Sequence, residues 1–236
     1  MIKTIITDIE GTTTSISFVH EVLFPYSSKS ISTFLSQQWK TPVIQQIVAD
    51  AASLAELENP SHAEITKVLL QWIQEDRKAS PLKQLQGLIW KAGYEAGELE
   101  GHVYEDAHYY LKVWQKQGVV LSIFSSGSVE AQKLLFRHSC FGNMEPLFSF
   151  FFDTTTGKKQ SPDAYLKILC ALDTRAESVL FLSDVEEELN AAKETGIHTC
   201  QLLRCDEKHQ PVSTGRHHTA NDFREVTDIY RISQKP

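Results

Sequence analysis

The chain has 236 residues, a formal net charge of −7 and a pI of about 5.7, a balance that argues against a nucleic acid or an anionic membrane as partner. With 42% hydrophobic and 22% charged residues it has the make-up of an ordinary globular protein, long enough to bury a core without staples. Its four cysteines, Cys140, Cys170, Cys200 and Cys205, show no CxxC spacing, and no stretch reaches the roughly 20 apolar residues of a membrane span. Reduced thiols in a soluble, cytoplasmic protein are therefore expected. Asp8 and Glu10 interrupt the only apolar run near the start, so no leader is read there. With no exposed heptad or edge signal, a monomer is the default.

The first fourteen residues hold a β-branched run that climbs to two acids, Asp8 and Glu10, and is broken at once by Gly11-Thr12-Thr13-Thr14. Asp8 is thus expected at the carboxyl end of a strand, where open α/β sheets keep their chemistry. Residues 18–26 read as a helix start with an aromatic cluster, followed by a serine-rich step at 27–32. From there to about Gly101 the period is helical. Ser61-His62-Ala63-Glu64 is a capping box ahead of Ile65, Val68, Leu69, Trp72 and Ile73, and Leu85, Leu88, Ile89 and Ala92 form a second stripe after Pro81.

From Tyr104 helices and strands alternate. Ala107, Tyr110, Leu111 and Trp114 mark a helix face, and residues 119–124 a strand ending at Ser125-Ser126-Gly127-Ser128. A helix to about His138 follows, then an aromatic third strand at 147–153, Lys159, and a helix opened by Pro162. Residues 178–184 form a fourth strand ending at Asp184, an acidic helix runs from Glu186 to about Thr195, and residues 197–203 form a fifth strand. Such alternation predicts an α/β fold with a parallel sheet flanked by helices. The tail after Cys205 reads as polar and turn-rich, with a final strand near 222–226.

In a parallel sheet these strand ends share one rim, so Asp8, Glu10, Ser125, Ser126, Lys159 and Asp184 are expected to converge. A carboxylate nucleophile, a carboxylate acid or base, hydroxyl donors, one lysine and a further acid are the parts for phosphoryl transfer through an aspartyl-phosphate. Asp8 would attack phosphorus. Mg2+ on Asp8, Asp184 and an atom near Glu10 would shield one anion from the other. Lys159 would neutralise phosphate oxygens, while Ser125 and the amides after it would hold them.

Asp8-Ile9-Glu10-Gly11-Thr12, the Ser125 strand end, Lys159 before Pro162-Asp163, and Asp184 with Glu188 four residues on resemble the four motifs of the haloacid-dehalogenase-like phosphohydrolases, in order. The resemblance implies a Rossmann-like three-layer core at residues 1–15 and 102–236, with a helical cap at 16–101 inserted after the first strand. Closure of that cap would exclude water and read the substrate. Where the phosphatases of that superfamily usually carry Asp two residues after the nucleophile, this chain has Glu10. The block from Asp8 to Tyr26, with Phe124-Ser125-Ser126-Gly127-Ser128-Val129, Ala131-Gln132, Leu134-Leu135-Phe136 and Phe181-Leu182-Ser183-Asp184-Val185, is similar to the enolase-phosphatases (acireductone synthases) of methionine salvage.

That narrower resemblance implies a Mg2+-dependent enzyme with one ion per subunit, acting on a small-molecule phosphate. It would enolise 2,3-diketo-5-methylthiopentyl 1-phosphate and then dephosphorylate the enol to the acireductone. Carried over, Asp8, Glu10 and Asp184 are metal residues, Asp8, Glu10 and Lys159 catalytic, and Ser125, Ser126 and Lys159 substrate-binding. Lys159 is preferred to Lys158 because it stands three residues before Pro162.

Glu10, His20 and Glu21 all remain open as the enolisation base. Ser125 has a second reading as a helix cap, and Glu186, Glu187 and Glu188 as first-turn acids favoured by the helix dipole. Glu188 has two further roles open, on a metal-bound water or on Lys159. Cys200, Cys205 and His209, or His217-His218, match no zinc spacing and are expected in a solvated tail. A general cap-bearing phosphatase for sugar or other small-molecule phosphates would share every core residue. A dehalogenase would use an aspartate nucleophile but needs neither metal nor the second acid, so Glu10 with Asp184 counts against it, and the completeness of the nucleophile, metal and lysine set argues against a catalytically dead binding module.

Overall fold

The computed structural model describes residues 1–75, 77–204 and 211–232. The chain divides into two compact units, Met1–Phe18 with Glu100–Pro236, and Val19–Leu99. The first is built on six parallel strands, β1 Thr4–Thr7, β2 Val120–Phe124, β3 Phe150–Phe152, β4 Val179–Ser183, β5 His198–Leu202 and β6 His218–Ala220, in the order β3-β2-β1-β4-β5-β6. β1 is central, with Thr4 opposite both Val120 and Val179 and Thr7 opposite Ile123 and Leu182. All its residues are buried, as a strand covered on both faces requires.

Strand order reverses between β1 and β4, which makes their carboxyl ends a switch point of the sheet, the usual place for a ligand crevice. Ile6, Phe124, Tyr165, Ile168, Phe181 and Leu189 share one core cluster, in which the Tyr165 ring meets Phe124 and Phe181 edge-on at 5.6 and 5.2 Å. Elsewhere in the unit Trp114, from the helix Glu105–Lys116, stacks on Phe223 at 5.1 Å and donates its indole N–H to Thr227 Oγ1 at 3.0 Å.

Phe223 and Thr227 belong to a segment that differs from expectation. In place of a strand near 222–226 there is a helix, Phe223–Tyr230, capped by Asp222, whose side chain accepts from Glu225 N–H at 2.8 Å. Phe223, Val226 and Thr227 fall at helical spacing and bury one face, which overrides the β-branched content of the segment. β6 just before it was not foreseen. The third strand is also shorter than the 147–153 expected, because Glu145–Leu147 is a 3-10 turn with Pro146 near its start.

The tail is not simply solvated. His217 is buried, with the Thr199 hydroxyl on Nδ1 at 2.7 Å and its Nε2–H on Asn190 Oδ1 at 3.1 Å. Cys200 is buried in β5, while Cys205 and His209 lie outside the described residues. Burial first, then Lys193, holds the His217 ring below its ordinary value of 6.5, which favours the neutral ring in the fold. A depressed folded pKa contributes stability that is complete above the unfolded value and lost as pH falls. The destabilisation caused by His217→Gln, relative to wild type, is therefore expected to be largest near about pH 8 and to shrink toward about pH 5 in denaturant titrations. A pH-independent difference would reject the neutral-imidazole account.

The Val19–Leu99 unit is helical, with helices Phe24–Gln38, Pro42–Leu54, His62–Gln74 and Ser80–Glu95 around a core that includes Ile31, Leu35, Ile47, Leu69 and Leu85. The capping box at Ser61 and Glu64 is formed, with Ser61 N–H on Glu64 Oε2 at 2.8 Å. The serine-rich step expected at 27–32 lies inside the first of these helices. There the Ser27 hydroxyl bonds back to the Phe24 carbonyl at 2.9 Å and does not break the turn. Among the described residues no helix is long and apolar enough to cross a membrane.

Candidate active site

Asp8 follows β1 directly and leads into a tight turn. The Ile9 carbonyl receives the N–H groups of Thr13 and Thr14, both at 2.9 Å, and Gly11 N–H donates to the Thr14 carbonyl at 2.8 Å. Gly11 has φ +71°, and a Cβ there would stand 2.5 Å from Asp184 Oδ2. Its missing side chain is thus what admits the Asp184 carboxylate, from the end of β4, against the turn that carries Asp8 and Glu10. Gly11→Ala would add about 1–2 kcal/mol of backbone strain and push that carboxylate aside. Phosphate release is expected to fall about 100-fold or more, with a lower thermal midpoint. Near wild-type turnover would show that Asp184 need not sit against the turn.

An arginine not singled out from the sequence braces the same turn. Arg204, just past β5, donates from Nε to the Thr12 carbonyl at 2.5 Å and forks onto Asp106 at 3.0 and 2.7 Å. Its guanidinium lies over the Tyr104 ring at 4.1 Å. Burial alone would raise the Asp106 carboxyl, but the Arg204 contacts and Phe223 N–H outweigh it and hold it low. No spacing links residues 12, 106 and 204, so only the fold reveals the brace.

At the end of β2, Ser125 is fully buried and donates its hydroxyl to Glu10 Oε2 at 3.2 Å, while Gly127 N–H donates to the Ser125 oxygen at 3.2 Å. It does not cap the following helix. Ser128 does, accepting from Ala131 N–H at 3.3 Å. Ser126 is exposed at the same loop. Burial, and then repulsion from Asp8, raises the Glu10 carboxyl above its ordinary value; its own backbone N–H, Lys159 and Ser125 act in the opposite direction.

Lys159 enters from the loop after β3. Its ammonium lies 2.7 Å from Asp8 Oδ1 and 2.6 Å from Glu188 Oε2, and the side chain is only 6% exposed. The Tyr165 hydroxyl anchors the lysine's carbonyl at 2.8 Å. Lys158, its neighbour, is exposed. Burial opposes the charge on Lys159, but Asp8 and Glu188 more than offset it and hold the ammonium well above its usual range.

Glu188 accepts from the Ser183 hydroxyl at 2.9 Å as well as from the Lys159 ammonium at 2.6 Å. Burial, then repulsion from Asp8, pushes its carboxyl up to about 7 against the opposing pull of Lys159 and Ser183. Glu186 instead faces Thr214, and Glu187 is exposed. His20 and Glu21 lie exposed in the Val19–Leu99 unit, with the His20 ring edge-on to Phe24 at 5.5 Å.

Among the described residues no three His, Cys, Asp or Glu side chains form a ready-made metal cage. The donor set nonetheless suits a hard cation that keeps several waters: the Asp184 carboxylate is packed against the turn bearing Asp8 and Glu10, and all the donors are oxygen. With one lysine set among buried acids, the rim has cationic and anionic groups disposed for phosphoryl chemistry.

Residues 2–196 match the model of the haloacid dehalogenase-like hydrolases. The chain is 47% identical over 226 residues to the enolase-phosphatase E1 of Alcanivorax borkumensis, covering 96% of this chain and 98% of that protein. It is 46% identical over 232 residues to the enolase-phosphatase E1 of Marinobacter nauticus, covering 98% and 99%. The crystal structure of the UTR4 protein of Saccharomyces cerevisiae superposes with a TM-score of 0.78 at 33% identity, over 94% of this chain and 99% of that one. An L-2-haloacid dehalogenase from Xanthobacter autotrophicus, at 14% identity and a TM-score of 0.59 over 98% and 99%, shares the fold. Family model and near full-length relatives agree: the chain belongs to the haloacid dehalogenase-like hydrolases and, within them, to the enolase-phosphatases.

Proposed function

We propose that this rim enolises 2,3-diketo-5-methylthiopentyl 1-phosphate and then removes its phosphate, releasing the acireductone of methionine salvage. The observation that carries the phosphatase half is the buried Asp8–Lys159–Glu188 arrangement at the β1/β4 switch point, beside Glu10 and Ser125. Asp8 attacks phosphorus as the ester P–O bond breaks, forming an aspartyl-phosphate that water then cleaves. Lys159 balances charge on the phosphate oxygens, and Ser125 with Ser126 and the adjoining amides receive them.

The carboxylates of Asp8 and Asp184 and the main-chain oxygen of Glu10 would hold one Mg2+, since the Glu10 carboxylate is engaged by Ser125. Bound there, the ion supplies the charge shielding that lets a carboxylate approach a phosphate. For enolisation, Glu10 is the core unit's own candidate to take the proton from the carbon bearing the ester and return it to the neighbouring carbonyl oxygen. Its half-buried carboxyl, raised above the ordinary value, makes it a stronger base than an exposed glutamate. The helical Val19–Leu99 unit is assigned the role of cap.

The test combines purified protein, Mg2+ and the diketone phosphate, and follows released phosphate and acireductone absorbance together. Both are expected to rise in step. Phosphate release from generic esters with no acireductone from this substrate would reduce the assignment to a general small-molecule phosphatase.

A further inference from the structure

Gln132 lies in the first turn of the helix Val129–Arg137, is 2% exposed, and has no part in the chemistry described above. Its Nε2 group donates to the Gly127 carbonyl at 2.8 Å and to the Phe152 carbonyl at 2.9 Å. Only the NH2 end of an amide can serve two carbonyls at once, so its orientation is determined by its surroundings. Oε1, on the other side, is buried and makes no hydrogen bond among the described residues. A buried acceptor left in that state is costly, which points to a use for the two donors.

That use follows from what Gly127 does next. With its carbonyl tied to Gln132, Gly127 gives its N–H to Ser125 Oγ at 3.2 Å. The Ser125 oxygen, having accepted one hydrogen, turns its own toward Glu10 Oε2 at 3.2 Å. The Phe152 carbonyl that meets Gln132 also receives Ser125 N–H at 3.2 Å, so the amide grips the loop from both sides. The bonds run in one direction, from Gln132 through Gly127 and Ser125 to Glu10.

We propose that Gln132 is a positioning residue that, through Gly127, aims the Ser125 hydroxyl into the rim, where it donates to Glu10 and passes to a phosphate oxygen once one is bound. This rests on the reading of Ser125 and Glu10 as site residues. The amide touches no reacting atom and acts through Ser125.

The test is Gln132→Met, which keeps the length of the side chain and removes both donors. KM for the substrate and the inhibition constant of inorganic phosphate are each expected to rise about 10-fold, with a smaller fall in kcat. Added to Ser125→Ala, the same substitution should change either constant less than about twofold, because its route of action is already gone. An equal effect in both backgrounds would make Gln132 a packing residue and overturn the proposal. The cycle can be run with a generic aryl phosphate, so failure of the diketone assignment leaves it intact. If Ser125→Ala alone moves neither constant, the reading of Ser125 and the proposal fall together. Should the methionine variant fail to fold, side-chain amide exchange in the wild-type chain decides. Slowly exchanging Gln132 NH2 resonances are expected, and exchange as fast as a surface glutamine would refute the two anchoring bonds.

Discussion

Asp8→Asn is expected to lower phosphate release by on the order of 10^4-fold or more while leaving the protein folded. The amide matches the carboxylate in shape, so the buried position at the end of β1 is not overfilled, and Lys159 retains Glu188 as a partner at 2.6 Å. What is lost is the anionic oxygen that attacks phosphorus, while the amide keeps one oxygen that can still face the cation. Proton removal at carbon does not use that oxygen, so absorbance from the enol phosphate should still develop while phosphate release is nearly abolished. Stopped-flow absorbance with a parallel phosphate assay measures the two steps separately. Phosphate release within tenfold of wild type would rule out carboxylate attack.

Lys159→Met is expected to cost both activity and stability. Its ammonium is the partner of Asp8 at 2.7 Å and Glu188 at 2.6 Å, and all three side chains are nearly inaccessible to water. Removing one member of a buried ion pair leaves uncompensated charge, at about 3–5 kcal/mol. The sign with pH follows from the carboxylates. Without the lysine, which now draws the Glu188 carboxyl down, Glu188 would hold its proton to still higher pH in the folded chain than in the unfolded one, so folding would bind a proton and lose stability as pH rises. The gap from wild type should therefore widen between about pH 5 and about pH 8 in denaturant titrations. An equal loss at both would point to packing instead of charge. Turnover should fall by about 100- to 1000-fold, because phosphate oxygens lose their buried cation.

Much of this site was legible along the chain because each strand end announces itself. A β-branched or apolar run stops at Asp8, Ser125 or Asp184, and parallel alternation sends all such ends to one rim. The choice of Lys159 over Lys158 rested on its distance from Pro162; in the structure the first is buried and the second exposed. Gly11 showed itself as the break in the strand. Its second task, making room for Asp184, needed coordinates, because that neighbour comes from another strand.

Other residues carried no local signal. Arg204 follows an apolar strand like many surface arginines, and only the tertiary structure brings it to Thr12 and Asp106. Glu188 was marked off from its two acidic neighbours only by its spacing from Asp184, and helix geometry turns it inward to Lys159 while Glu187 faces solvent. The tail misled for a related reason. Phe223, Val226 and Thr227 suit either a strand or a helical face, and burial beside Trp114 selects the helix.

By itself, then, the sequence determined the parallel α/β architecture, the helical insert and the residues at the strand ends, because periodicity and turn chemistry are local properties. It also determined that an acid of glutamate length follows two residues after Asp8. Only the tertiary structure decided how Lys159 is shared between Asp8 and Glu188, that Ser125 serves Glu10 and not the helix after it, and that Gln132 and Arg204 brace the loops behind them. Apart from the bond between Gln132 and Gly127, five positions apart, those contacts join residues from about twenty to almost two hundred positions apart, and their directions are set by which buried donors and acceptors must find one another once water is excluded.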